Sequence, residues 1–188
     1  MTAILTGGFA DPAPQSAHAF RALLEAMARP GRIHTVLGAE PPAPLSVAAG
    51  VTLLTLTDAT TPLHLAGAYD CADLRSWIAF HCGAPLVSAQ EAQFALGAWE
   101  DLHPVTQFKI GDPAYPDRSA TLIVEMPELT ATGARLTGPG IAAEARLSLP
   151  ETAAFQANRK LFPLGFDVIL TCDKRLAALP RSTKVEAN

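Results

Sequence analysis

Residues 166–172, Phe-Asp-Val-Ile-Leu-Thr-Cys, carry three adjacent apolar side chains at their centre, Val168, Ile169 and Leu170. Successive side chains of a strand point to opposite faces, so at its centre this run has no polar side chain on either face to offer to water. It is a buried strand, and a buried strand needs cover on both sides. The chain supplies candidates for that cover. Segment 16–31, SAHAFRALLEAMARPG, reads as a helix capped by Ser16, with Phe20, Leu23, Leu24 and Met27 on one face and Pro30-Gly31 as its stop. Residues before Gln15, with Pro12 and Pro14, read as an extended arm. Segment 70–83, DCADLRSWIAFHCG, is a second amphipathic helix, with Leu74, Trp77, Ile78 and His81 on one stripe.

Segment 47–58, VAAGVTLLTLTD, is ambiguous by pattern, but its small residues and length favour a buried helix, and 150–162, PETAAFQANRKLF, makes a last one. Strands are expected in 32–37, 61–67, 84–88, 92–97 and 119–127, in 129–138 and 143–149, and at the terminal 179–185. The proline-rich stretch 38–46 is a loop, and 98–119 is irregular. Helices and apolar strands alternate throughout, which predicts an α/β or α+β sandwich around a mixed sheet. The 188 residues, 49% hydrophobic, suit a single domain over 1–188.

Only 17% of residues are charged and the mean hydropathy is +0.21, so part of the surface is expected to be covered by a partner. The net charge is −4, and residues 159–188 hold six Lys/Arg against three Asp/Glu. No basic stripe with interleaved aromatics exists, which argues against nucleic acid. No run approaches the roughly 20 apolar residues of a membrane span, and the N-terminal residues lack a signal-peptide pattern. Cys71, Cys82 and Cys172 show no CxxC spacing. The expectation is a cytoplasmic protein with reduced, mostly buried thiols.

Candidate chemistry is sparse. In Gly138-Pro139-Gly140-Ile141, Pro139 cannot donate an N–H to a phosphate, whereas Pro139 and Gly140 suit the two central positions of a type II turn closed by Ile141. Arg29 and Arg32 flank the break after the first helix, where an arginine either answers the helix dipole or contacts an anion or partner. Arg118 and Arg181 sit beside prolines at strand edges, positions that suit structural or interfacial roles. The five histidines never pair at metal-ligand spacing. His81 and Cys82 point apart on a helix and are expected as a buried pair rather than a nucleophile and its base. Of four lysines, Lys109 is the least unsuited to a pyridoxal phosphate aldimine.

Five fragments in order, FRALLEAMARPG, PDRSATLIVEM, LTGPGI, FPLGFDVILT and LPRSTKV, resemble the PhnH family of the bacterial carbon–phosphorus lyase system. The resemblance runs from about Phe20 to Val185. It implies a three-layer α/β/α sandwich similar to the pyridoxal-phosphate-dependent transferases but without the cofactor. It also implies a homodimer assembled with subunits G, I and J, in which ATP or a phosphonate is met only indirectly. The reaction it implies displaces adenine from ATP with an alkylphosphonate, giving a ribose 1-alkylphosphonate 5-triphosphate. Motif positions carried here are Arg29, Gly31, Arg118, Gly138, Gly140, Gly165 and Arg181, as binding or interface candidates, with no catalytic residue and no metal. Two alternatives stand beside it, an independent pyridoxal phosphate enzyme and a nucleotide- or phosphonate-binding module.

Overall fold

The computed structural model describes residues 6–187. Helix α1 spans Pro12–Ala28. It therefore begins four residues ahead of the expected Ser16, and the extended arm is shorter than expected; Met1–Leu5 of that arm lie outside the described residues. Asp11 is the extended residue before the helix and Pro12 fills its first position, where the missing N–H costs nothing and the fixed φ is already helical. Pro14 is tolerated for the same reason, within the first turn. Ser16 lies inside the helix and donates its hydroxyl to the Ala13 carbonyl at 3.3 Å.

The other elements follow as β1 (His34–Thr35), α2 (Val47–Leu56), β2 (Leu63–Leu65), α3 (Ala72–His81), β3 (Phe94–Ala98) and β4 (Thr121–Glu125). Then come β5 (Ala134–Thr137), β6 (Ala145–Leu147), α4 (Ala153–Lys160), β7 (Asp167–Cys172), β8 (Arg175–Leu179) and β9 (Lys184–Glu186). Between β3 and β4 the chain makes short 3₁₀ turns, as the irregular composition of that stretch implies. Segment 84–88 forms only an isolated bridge, Leu86 to Leu63.

Six strands form a mixed sheet in the order β1-β8-β7-β4-β3-β2. Strands β2, β3, β4 and β7 run parallel, and β8 and β1 add antiparallel. Strand β8 carries no clear pattern in the sequence. It arises because Asp173, at φ +54, and Lys174 reverse the chain after β7 so that Cys172 pairs with Arg175. Val168, Ile169 and Leu170 are all buried to within 1% exposure, so both faces of β7 are covered.

One face carries a helical layer. Ile169, Leu176 and Ala178 meet Ala19, Leu23 and Ala26 of α1 and Val51 of α2. Alongside them, Leu63, Leu96 and Ile123 meet Leu53 of α2 and Leu74, Trp77 and Ile78 of α3. The opposite face departs from the expected α/β/α sandwich. It is covered by Phe155 of α4, by Trp99, Leu102 and Phe108 of the 3₁₀ stretch, and by a three-stranded antiparallel sheet, β6-β5-β9, that contributes Leu136, Leu147 and Val185. Among the described residues one short helix stands in this layer, because Gly- and Pro-punctuated segments favour hairpins over helices.

The expected apolar face of α1 is divided. Leu23 is buried, whereas Phe20 and Leu24 are 50% and 57% exposed. The face against the sheet is instead drawn from Ala19, Leu23 and Ala26, mostly small residues that allow close approach.

Candidate functional site

Two of the motifs named above meet at the end of α1. Ile141 donates its N–H to the Gly138 carbonyl at 3.2 Å and Gly140 has φ +80, which is the type II turn that Pro139-Gly140 encodes. The turn is pressed against the helix end: a Cβ on Gly140 would overlap the carbonyl oxygen of Ala28 and touch Pro30. Gly31, at φ +91, lies against Ala145 of β6, leaving 2.5 Å for a Cβ. Gly138 faces the Ser182 carbonyl at the entry to β9. The helix stop and the Gly-Pro-Gly turn are thus two halves of one weld joining the helical layer to the small sheet. Arg29 remains at the surface, 3.3 Å from Glu25, with both side chains nearly half exposed.

A second weld lies at the end of the main sheet where its central strands β4 and β7 begin. Arg181, expected in a structural or interfacial role, is turned inward with its side chain 13% exposed. Its Nε donates to Asp167 Oδ1 at 3.1 Å, Nη2 to Asp167 Oδ2 at 2.5 Å and Nη1 to the Pro116 carbonyl at 2.8 Å. Nη2 also reaches the Ser119 hydroxyl, and the Arg181 backbone N–H bonds Asp167 Oδ1 at 2.8 Å. The planar guanidinium fits this fork because its donors lie in one plane. Its partners are Asp167 and Ser119, which no local pattern singles out. Close by, Gly165, at φ +121, leaves 2.5 Å to Asn158 Oδ1. That buried amide accepts from Phe166 N at 3.0 Å and donates to Phe166 O at 2.8 Å.

Arg118 behaves differently. It is exposed, its guanidinium stacks over the Tyr115 ring at 3.9 Å, and no carboxylate lies within 4.0 Å of it among the described residues. It lines a hollow of about 450 Å³ with Gln93, Lys109, Ile110, Gly111 and Asp112. Lys109 is exposed and donates one proton to the Glu91 carbonyl at 2.8 Å. That setting is unlike a lysine buried to form an aldimine, which depends on desolvation to lower its pKa.

At the opposite end of the central strands, Glu125 ends β4 and is 8% exposed. It accepts from Ser46 N at 2.7 Å and Thr171 Oγ1 at 3.0 Å, tying the start of α2 to the sheet. Burial pushes its carboxyl above the ordinary range, opposed in part by these hydrogen bonds. The Tyr69 phenol is pushed up to about 12, first by burial and then by the negative charges of Glu125 and Asp101.

His81 and Cys82, expected to be buried, are half-buried. The His81 ring packs between Trp77 and Phe80 and contacts the Thr6 carbonyl at 3.2 Å. Burial pushes the Cys82 thiol up, which is the reverse of an activated nucleophile. Among the described residues no three His, Cys, Asp or Glu side chains cluster to hold a metal, and no helix is long and apolar enough to cross a membrane.

These features define an α/β protein whose most distinctive residues hold its layers together rather than converge on a reacting group. The family model described as bacterial phosphonate metabolism protein (PhnH) matches residues 7–186, and the chain belongs to that family. It is 40% identical to the alpha-D-ribose 1-methylphosphonate 5-triphosphate synthase subunit PhnH of Rhizobium meliloti (strain 1021), an alignment covering 97% of this chain and 96% of that one. It is 31% identical to HtxG of Stutzerimonas stutzeri, named as a putative C-P lyase subunit protein, over 92% of this chain and 87% of the relative.

Proposed function

We propose that this chain is a cytoplasmic, single-domain subunit of the carbon–phosphorus lyase complex. It supports, without performing, the displacement of adenine from ATP by an alkylphosphonate to give a ribose 1-alkylphosphonate 5-triphosphate. The observation that carries this is the end-to-end likeness, 40% identity across 97% of the chain, to a named synthase subunit. The geometry favours the supporting role: the Gly-Pro-Gly turn and Arg181 serve packing. The parallel block β2-β3-β4-β7 under a helical layer is in keeping with kinship to the pyridoxal-phosphate-dependent transferases, with the cofactor site lost.

Subunits G, I and J are the proposed partners, with Arg29 as a docking contact. A second copy of the chain is proposed to cover the outer stripe of α1. That stripe runs Ala13, Ala17, Phe20 and Leu24, all exposed and in a 4-3-4 spacing suited to helix pairing. Arg21 and Glu25 border it four residues apart, so an antiparallel two-fold pair crossing at the level of Leu23 sets each Arg21 beside the partner copy's glutamate. Affinity purification of the tagged chain from phosphate-starved cells, read by mass spectrometry, tests the assignment. Stoichiometric G, I and J are expected; a homodimer recovered alone under mild salt, with those subunits expressed, overturns it.

A further inference from the structure

The hollow at Lys109 and Arg118 carries positive charge that the fold does not use. Its two cations are held in place without being neutralised. Lys109 is anchored by one bond to a neutral carbonyl, that of Glu91, which leaves two of its protons free. Arg118 sits over the Tyr115 ring with its Cζ 3.9 Å from the centroid, a contact that restrains the guanidinium while leaving its N–H groups without an acceptor among the described residues. The hollow holds one carboxylate, Asp112, and its Oδ1 already accepts from the backbone N–H groups of Ala114 and Tyr115, both at 2.9 Å. The remaining polar side chain is the Gln93 carboxamide. Two cations against one partly satisfied carboxylate leave the hollow net positive.

The scaffold around it is fixed. Ile110 bridges antiparallel to Ser119, and Ala120 N bonds the Lys109 carbonyl at 2.8 Å. Gly165 N bonds the Ile110 carbonyl at 2.9 Å. Ser119, next to Arg118, is gripped by Arg181. Both cations are therefore mounted on backbone that the second weld holds still, the preorganisation that a charged binding site needs.

We propose that this hollow is an anion site that takes the phosphate or phosphonate headgroup of a small molecule between Lys109 and Arg118. Arginine offers two parallel N–H groups to two oxygens, lysine a point charge to a third, and the Gln93 amide a further donor. Donors approaching from several sides suit a tetrahedral oxyanion rather than a planar carboxylate. A volume of about 450 Å³ leaves room for the organic part beyond the headgroup. The proposal stands on this chain's geometry and adds a ligand contact to the supporting role above.

The test is ³¹P NMR titration of the full chain with inorganic phosphate, methylphosphonate and ATP in separate arms, at constant ionic strength, on wild type and on the Lys109→Gln/Arg118→Gln double variant. The expected result is saturable broadening or shift, weakened at least tenfold in the double variant, whose melting temperature matches wild type. The strongest arm identifies whether a free headgroup or a nucleotide is the better ligand. Absence of saturation in all three arms overturns the proposal, and so does binding that the double variant retains. Co-purification of the same variant with subunits G, I and J separates the two readings, since complex membership does not depend on the hollow.

Discussion

Two arginines sit beside prolines in neighbouring motifs, and the structure gives them opposite treatment. Arg181 is half-buried against Asp167, Ser119 and a carbonyl, with its guanidinium donors turned inward. Arg118, one residue from Ser119, lies on an aromatic ring at the surface with its charge unpaired. The pair shows that a motif residue can be a fastener or a binding group, and that the local sequence around it does not decide which. What decides is whether a carboxylate lies within reach in the fold. The same contrast separates the Gly140 turn, closed against Ala28, from the open hollow at Lys109.

The largest effect is expected where the fastening is electrostatic. Arg181→Gln leaves Asp167, 22% exposed, without its partner, and should cost about 3 kcal/mol in urea unfolding, the loss typical of breaking a largely buried pair. Arg181→Lys should recover only part of it, since a point charge cannot replace the fork. A variant as stable as wild type would erase the distinction between the two arginines.

Gly140→Ala comes next. It meets both the left-handed φ and the Ala28 carbonyl, and should cost about 2–3 kcal/mol. Gly83→Ala is its control, because Gly83 has φ +67 but its nearest neighbour is Ala59 Cβ at 3.8 Å. That substitution should cost about 1 kcal/mol, the backbone contribution alone. Equal costs would mean that the weld at α1 contributes nothing beyond conformational strain.

A smaller effect concerns the buried carboxyl of Glu125. Its folded-state pKa lies above the unfolded value, so the folded chain holds its proton to higher pH. Stability therefore falls as pH rises from the ordinary carboxylate range through the raised value, then levels. Glu125→Gln removes that dependence, and melting curves at about pH 5 and pH 8 should lie closer together in the variant than in wild type. Smallest of all in stability is Leu24→Glu on the outer stripe of α1. Its melting temperature should hold within about 2 °C, in line with a surface change of under ~0.5 kcal/mol, while sedimentation should show a monomer in place of the dimer proposed for wild type.

Much of the fold is legible because its signals are local. The α3 stripe, the apolar β7 run and the Gly138–Ile141 turn each carry their own signal, whereas α2, buried at six successive positions, has no stripe and is favoured only by its length and small residues. The start of α1 is harder to read, because Pro12 and Pro14 suit an extended arm as well as a helix's first turn. Strand β8 escapes a local reading because its short segment between Asp173 and Pro180 becomes a strand by pairing with β7 on one side and β1 on the other. The small sheet replacing an outer helical layer depends on contacts from β5 to β9, nearly fifty residues apart, which no local pattern encodes. The candidate arginines are visible as residues. Their roles are not, because Arg181 finds Asp167, and Gly165 finds Asn158, only once the chain has closed.

The most direct measurement is thermal unfolding of wild type, Arg181→Gln and Lys109→Gln/Arg118→Gln, each with and without saturating phosphate. The account predicts that Arg181→Gln melts roughly 6–12 °C lower, the shift that about 3 kcal/mol produces in a chain of this size. The double variant should melt with wild type yet lose the stabilisation by phosphate that wild type shows. If Arg181→Gln melts with wild type, or the double variant keeps the full phosphate response, the division between fastening and binding arginines is contradicted.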